Sequence, residues 1–370
     1  MGVTFPGIDT QMNEDLSIHQ SILIKAMRFP LIVLVLYAHS VGDFYGSIQC
    51  SLDGWNLHHF FSEMISHNLC KIAVCWFFVF SGYFFFYHLP SGRFSGKWYA
   101  GKLKKRGRSL LIPYLFWNLF LVVAIVAKTG LFSKLGISQN DIEGELWTVR
   151  QGPIYWLVTG PANFPLWFMR DLMVMSLLVP LLWLLYKYLP QPACILFLVI
   201  LYFIPFNAPF VSWRAYFFFS FGAFLGKNNV NMLSLCQKIK KPAAILAILS
   251  LIVASYWNDA PFHEWLLRAF YPFGMIFFMN LCNWLIQKER RKERLTKLAA
   301  PVFFIYAIHE IYLLGWTKGS FIRIFGDGLT GTWIKFLFVP LVVLAICLML
   351  YWLLHKLMPK TLAFLCGGHA

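Results

Sequence analysis

The chain has 370 residues, of which 59% are hydrophobic and 19% aromatic, and its mean hydropathy is +0.63. A water-soluble domain of this length does not need so much apolar surface, and the alternating segments of an outer-membrane barrel are absent. The 32 basic and 16 acidic residues give a net charge of +16. Because the cations cluster in alternate loops, the positive-inside rule explains them, and nucleic acid is not expected as a partner.

Repeated apolar stretches of about 16 to 25 residues predict an all-α, polytopic membrane protein with ten transmembrane helices. We place the spans at about 22–42, 69–88, 109–127, 165–187, 192–206, 210–226, 242–257, 264–286, 298–316 and 332–356. They predict a transmembrane domain over 22–356, preceded by an N-terminal segment over 1–21 and followed by a tail over 357–370.

Positive charge is concentrated in loops that follow even-numbered spans. The loops at 89–108, 227–241 and 287–297 are rich in Lys and Arg, whereas the loop at 43–68 contains neither residue type. This asymmetry predicts that both termini are cytoplasmic. The loop at 128–164 is then the longest non-cytoplasmic connection, and two interpretations stay open for it: a partly ordered cover of the outer mouth or a disordered segment.

Two polar residues of the first span share one helical stripe. Arg28 and His39 are eleven residues apart, and eleven helical steps of about 100° return to within roughly 20° of the starting direction. Arg28 is expected near the cytoplasmic face and His39 near mid-depth, toward the outer half. Arg28 could be an interfacial anchor and His39 a buried structural histidine, but such groups in lipid normally face a bundle interior or a water-filled path. There a histidine could accept a proton from a hydroxyl, and an arginine could bind phosphate or carboxylate.

A basic run leads directly into the third span. It extends from Lys102 through Lys105, Arg106 and Arg108 to Pro113. A topology signal or a contact with anionic lipid is one interpretation of this run, and binding of the phosphates of a nucleotide-like donor is the other.

The fourth span begins with a motif that carries a tryptophan and two charges, Trp167, Arg170 and Asp171. Adjacent helical residues point about 100° apart, so Arg170 and Asp171 need not pair with each other. They could form an ion pair between helices or orient a polar acceptor.

The ninth span places His309 and Glu310 in an apolar run, and the depth of His309 resembles that of His39. A hydrogen bond between helices is one interpretation, and a functional site is the other. His309 and Glu310 belong to neither an H-x-x-x-E nor an H-E-x-x-H metal-ligand spacing, so no metal is expected there.

Ser81 and Gly82 in the second span favour close packing of a neighbouring helix, because no nucleophile elbow surrounds Ser81. The eight cysteines show no C-x-x-C pair and are interpreted mainly as buried free thiols.

Together these motifs resemble the acyltransferase-3 family of integral-membrane O-acyltransferases over about residues 22–356. The resemblance rests on R-x10-H at Arg28 and His39, FFVFSGY, the basic run before Pro113, PLWFMRDL and FFIYAIHE. It implies a ten-helix enzyme of the bacterial inner membrane. Such enzymes move an acyl group, often acetyl, from cytoplasmic acyl-CoA to a hydroxyl of an extracytoplasmic glycan or glycolipid.

The resemblance also implies roles for individual residues. His39 would be the catalytic base or a transient acyl carrier, and Arg28 would orient the donor or the site. Lys105 and Arg108 match the paired basic positions that would contact CoA, although the family pattern is Arg-x-x-Arg, so the binding cations among Lys105, Arg106 and Arg108 stay open. The remaining candidates are His309 and Glu310 for catalysis and Trp167, Arg170 and Asp171 for the acceptor.

Acetyl-CoA is the expected donor, with succinyl as an open alternative for the acyl group. Two other functions stay open from the residues themselves. A transporter or flippase for a glycan or lipid-linked sugar would consume no thioester and would not depend specifically on His39. A non-catalytic membrane scaffold would tolerate His39→Ala and Arg28→Ala.

Overall fold

The chain folds into helices, as the apolar periodicity predicts. A computed structural model describes residues 6–42, 47–87, 89, 94–136, 142–204 and 211–368, and every regular element in these ranges is helical. In chain order the α-helices are α1 (Pro6–Ser40), α2 (Gly54–Ser62), α3 (Lys71–Phe86), α4 (Gly96–Arg106), α5 (Ile112–Lys134), α6 (Ile142–Val158), α7 (Trp167–Leu177), α8 (Val179–Tyr188), α9 (Gln191–Phe203), α10 (Trp213–Lys227), α11 (Met232–Lys238), α12 (Lys240–Tyr256), α13 (His263–Leu285), α14 (Glu289–Lys297), α15 (Val302–Ile308), α16 (Leu314–Phe325), α17 (Leu329–Leu357) and α18 (Pro359–Leu365). Short helical turns join some of them: π-helical turns at Glu63–Leu69, Gly107–Leu111 and His309–Leu313, and a 3-10 turn at Phe164–Leu166.

Among the described residues, five helices are long and apolar enough to cross a membrane. The count rises to eight if each bent pair of helices forms one span. The bent pairs are α7 with α8, α11 with α12, and α14 with the run from α15 to α16. Two of the ten predicted spans, α9 and α10, have only 13 and 15 residues. At 1.5 Å per residue they extend about 20 Å, less than the roughly 30 Å of a hydrocarbon core. The prediction of an all-α, polytopic protein is confirmed. The prediction of ten full-length spans is not, because the described helices provide at most eight that are long and apolar enough.

Parts of the predicted boundaries lie outside the described residues. They are the ends of the segments 1–21 and 357–370, the junction of the fifth and sixth spans, the end of the second span, and parts of the loops at 43–68, 89–108 and 128–164.

Helices α3 and α10 pack against each other with their backbones in contact. A Cβ atom at Gly82 would overlap the carbonyl oxygen of Phe219, and one at Gly222 would overlap that of Val79. Only glycine allows this approach, because any side chain would force the two helices apart. The prediction of close helix packing at Gly82 is therefore confirmed.

The segment after α5 is ordered over residues 142–163. For that stretch the ordered interpretation of the 128–164 loop holds, and the disordered one does not. α6 bends at Gly152, whose φ of +77° is unfavourable for other residues. Trp156 is buried, and its carbonyl accepts a hydrogen bond from the hydroxyl of Tyr114 in α5. This segment therefore packs onto the bundle.

The tail after α17 also packs onto the bundle. Trp117 Nε1 in α5 donates a hydrogen bond to Leu365 O at 3.1 Å, and Cys366 is fully buried. A Cβ atom at Gly367 would lie 2.7 Å from Ser109 Cα, in the 107–111 turn. The tail thus supports the turn that follows the basic run.

The cysteines are free thiols, as expected. Seven are buried, and Cys50 is exposed.

Candidate active site

A cavity of about 540 Å³ opens among α1, α3, the 107–111 turn, α7 and α15. Its described lining includes two arginines, Arg28 and Arg106, together with His39 and Trp167, and no acidic side chain. Besides Trp167, six aromatic residues supply much of the apolar wall: Phe77, Phe80, Phe84, Phe168, Phe303 and Tyr306. A cationic cavity with apolar walls suits a ligand that combines an anionic part with an apolar arm.

Arg28 and His39 face this cavity together, which confirms that they share one stripe of α1. Arg28 makes no hydrogen bond or ion pair with the described residues, and its side chain is open to the cavity. His39 lies in the last turn of α1, one residue before the helix ends. The helix thus ends two residues before the predicted span does, and the depth of His39 in the membrane stays a prediction.

His39 is held by groups from a second helical segment. Its Nδ1 lies 3.1 Å from Glu310 Oε1. A carboxylate oxygen accepts hydrogen bonds, so the Nδ1–H donates and the lone pair of the imidazole is on Nε2. Lys318 Nζ, in α16, donates to His39 O at 2.7 Å. These contacts fix both the ring and the backbone of His39.

His309 lies beside His39, and their ring centroids are 5.2 Å apart. The prediction of similar depth for these histidines is confirmed. His309 is fully buried, and its Nδ1 is 2.9 Å from Tyr306 O. Because a carbonyl accepts, Nδ1–H donates, and Nε2 carries a lone pair for which the described residues offer no hydrogen-bond donor.

The turn that carries His309 and Glu310 departs from α-helical geometry. Ile311 has ψ of +83°, and Tyr312 has φ of +60°, which is uncommon for a residue other than glycine. The Tyr312 ring lies under Lys128 Nζ, 4.9 Å away, and Lys128 pairs with Glu145 at 2.5 Å. Contacts from α5 and α6 thus hold the strained turn, and strain of this kind is common at functional sites.

In the basic run, Arg106 is the residue that lines the cavity. Its guanidinium donates to Ser81 Oγ at 2.8 Å and to Ser81 O at 3.2 Å. Lys105 and Arg108 are exposed and do not line the cavity. Only the middle cation of the three candidates therefore reaches the interior.

In the fourth span, Trp167 lines the cavity, whereas Arg170 and Asp171 form an ion pair of 3.0 Å. The sequence did not require these neighbours to pair. They do pair, because the long Arg170 side chain bends back toward the Asp171 carboxylate. Asp171 is fully buried and also accepts from Ser212 N at 2.9 Å, at the start of α10. Both residues thus stabilise the site's surroundings and do not line the cavity.

Comparisons with known proteins identify the family of this chain. A family model described as "Acyltransferase domain", Acyl_transf_3, matches residues 22–352. The chain belongs to the acyltransferase-3 family. A curated relative, the succinoglycan biosynthesis protein ExoH of Rhizobium meliloti (strain 1021), is 29% identical over 286 residues, which are 73% of each chain. No solved structure matches this chain significantly. The protein is accordingly a multi-pass membrane acyltransferase.

The site of this acyltransferase includes residues that the sequence analysis missed. Asn163 is buried; its backbone N–H donates to Asn118 Oδ1 at 3.0 Å, and its side-chain Nδ2 donates to Ala307 O at 2.9 Å. It thereby joins α5 to α15 beside the cavity. Lys318 lies in α16, two residues beyond the end of the predicted ninth span at residue 316. Asparagine within the apolar run LFWNLFL was a signal that could have identified Asn118.

The same acyltransferase site holds three side chains that could coordinate a metal. The ligand atoms of His39, His309 and Glu310 lie within 4.8 Å of one another. Because they come from α1 and the 309–313 turn, no local sequence spacing reveals them. The expectation that no metal binds rested on spacing and stays untested.

Proposed function

We propose that this acyltransferase transfers an acetyl group from acetyl-CoA, bound from the cytoplasmic side, to a hydroxyl of an extracytoplasmic or lipid-linked glycan. The observation that carries this proposal is one cavity that contains Arg28, Arg106 and His39, with Glu310 hydrogen-bonded to His39. Acetyl-CoA joins a polyanionic nucleotide to a neutral thioester arm. Cations suit the first part, and an apolar wall suits the second.

The donor would enter past the basic run. Exposed Lys105 and Arg108 attract the phosphates, and Arg106 holds the point where the arm enters the cavity. The apolar arm then runs between the aromatic residues toward His39. Arg28, which lacks a described protein partner, would orient the thioester carbonyl and stabilise the oxyanion that forms from it.

The chemical step follows from the tautomer of His39. Its Nε2 lone pair takes the proton of the acceptor hydroxyl while the hydroxyl oxygen attacks the thioester carbon. The tetrahedral intermediate collapses, the C–S bond breaks, and the imidazolium returns the proton to the departing thiolate, which gives CoA and the glycan ester. Glu310 stabilises the imidazolium through the Nδ1–H, and the buried His309 packs beside the His39 ring, with 5.2 Å between the ring centroids.

The acceptor would approach from the other end of the cavity. Trp167 gives a sugar an aromatic face, and the Arg170–Asp171 pair keeps the start of α7 in place for that contact. The name of the Rhizobium relative, a succinoglycan biosynthesis protein, supports a polysaccharide as the acceptor class. We place the enzyme in a bacterial inner membrane, with the basic loops in the cytoplasm.

The test uses purified protein in lipid vesicles with radiolabelled acetyl-CoA or succinyl-CoA and polysaccharide extracts. We expect release of CoA and transfer of label to the extract with acetyl-CoA, and loss of both in Arg106→Ala. Label from succinyl-CoA alone would contradict acetyl as the transferred group. Glycan movement across the vesicle membrane with no thioester consumption would contradict acyl transfer and favour a transporter.

A further inference from the structure

The triad of His39, His309 and Glu310 has the composition of a transition-metal site. Two imidazoles and a carboxylate offer ligand atoms within 4.8 Å of one another. Tetrahedral coordination with bonds of about 2.1 Å places ligand atoms about 3.4 Å apart, so modest side-chain rotations would bring them into position. Of the three residues, His39 also lines the cavity described above.

His309 is arranged as metal-binding histidines are. Its Nδ1–H donates to the carbonyl of Tyr306, which fixes the ring and leaves the lone pair on Nε2. That Nε2 atom is buried and receives no hydrogen bond from the described residues. An unpaired polar atom inside a protein is costly, and a metal ion would satisfy it.

We propose that His39, His309 and Glu310 bind a divalent transition-metal ion such as Zn²⁺, and that the ion inhibits the enzyme. The ion takes the place of the hydrogen bond between His39 and Glu310, so the base loses its carboxylate partner. The inhibition rests on the proposed function, whereas the binding site does not.

Surrounding charges tune the affinity. Glu310 is the acidic member of the site, and its carboxylate favours a cation. Lys318 lies close to the site through its bond to His39 O, and Arg28 lines the same cavity; both oppose a cation. Imidazole must be unprotonated to bind a metal, so acidification weakens binding as well.

Equilibrium dialysis of the purified full-length protein against Zn²⁺ tests the site directly. We expect one ion per chain, and an affinity reduced by at least about tenfold in His309→Ala. The matched control is His355→Ala, which removes an exposed histidine of α17 and should leave binding unchanged. Equal affinities of wild type and His309→Ala would overturn the proposal, as would the lack of saturable binding by the wild type.

A second variant keeps the test valid if His309→Ala does not fold. Glu310→Gln preserves the shape of the side chain but supplies a weak ligand. With Co²⁺ as the probe, the wild type should show visible d–d absorption at one equivalent, and Glu310→Gln should lose it. An unchanged spectrum in this variant would overturn the assignment of Glu310 as a ligand.

Inhibition is measured separately, in the acetyl-transfer assay with and without Zn²⁺ and a chelator. We expect Zn²⁺ to stop the release of CoA and the chelator to restore it. Full activity with one bound equivalent of Zn²⁺ would contradict the inhibitory role. If the wild type shows no acetyl transfer at all, the proposed function fails, while dialysis and the Co²⁺ spectrum still decide the metal site.

Discussion

The proposed base depends on contacts from residues far away in the chain. His39 lies in the last turn of α1, Glu310 lies in the 309–313 turn, and Lys318 lies in α16. Glu310 fixes the imidazole and Lys318 fixes the carbonyl of the same residue. Because the last carbonyls of a helix lack an intrahelical partner, the Lys318 ammonium also satisfies the end of α1. Lys318 therefore positions His39 without lining the cavity.

Lys318→Ala should reduce kcat for acetyl transfer by about tenfold, which corresponds to the loss of roughly 1.4 kcal/mol. The KM for acetyl-CoA should stay the same, since Lys318 does not line the cavity in which we propose that the donor binds. Lys318→Arg should recover much of the lost kcat because it keeps a cationic donor. An increase of KM with kcat unchanged would show that Lys318 binds the donor and does not position the histidine.

At the residue scale, the sequence predicted which side chains lie close together better than which of them form hydrogen bonds or ion pairs. The shared stripe of Arg28 and His39 follows from helical periodicity, and the similar depth of His309 follows from counting along the span. The Arg170–Asp171 pair could not be predicted, because an arginine rotamer decides it. Lys318 was missed since a short polar stretch inside a helix has the composition of a loop.

At the scale of elements, irregular helical turns and glycine contacts position the cavity. The π-helical turns at 107–111 and 309–313 contain Ser109 and His309, respectively. Each turn changes the direction in which the following side chains point, compared with a regular α-helix. Composition does not reveal such turns, nor does it reveal the breaks between α7 and α8 or between α11 and α12. By contrast, the close contact of α3 with a neighbouring helix was predictable from the sequence, because Gly82 indicated it.

Gly82→Ala should destabilise the protein by about 1–3 kcal/mol, because the new methyl group overlaps the Phe219 carbonyl and separates α3 from α10. The matched control is Gly130→Ala in α5, where a Cβ atom meets nothing within 4 Å. This control should be neutral or stabilising by up to about 1 kcal/mol. Thermal unfolding in one detergent compares both variants with the wild type, and equal melting temperatures would contradict the close packing.

At the scale of the whole molecule, the charge distribution predicts the orientation in the membrane. From the basic loops on one side we expect the termini in the cytoplasm and the 43–68 segment on the opposite side. The helical architecture was predictable from apolar periodicity. The short lengths of α9 and α10 could not be predicted in the same way, because hydropathy does not locate the ends of a helix.

Cys50 provides a test of this orientation. It is the exposed member of eight free cysteines, and the other seven are buried. A membrane-impermeant maleimide should therefore label the protein in intact cells, and Cys50→Ser should abolish the labelling. Labelling of Cys50 only after the membrane is permeabilised would contradict cytoplasmic termini.

The central claim is that His39 acts as the base in acetyl transfer. The most direct measurement compares wild type, His39→Ala and the exposed-histidine control His355→Ala in vesicles with radiolabelled acetyl-CoA and glycan extract. We predict that His39→Ala keeps its melting temperature within a few degrees but loses at least about 100-fold in transfer rate, while His355→Ala retains full activity. Transfer by folded His39→Ala at the wild-type rate would contradict the account.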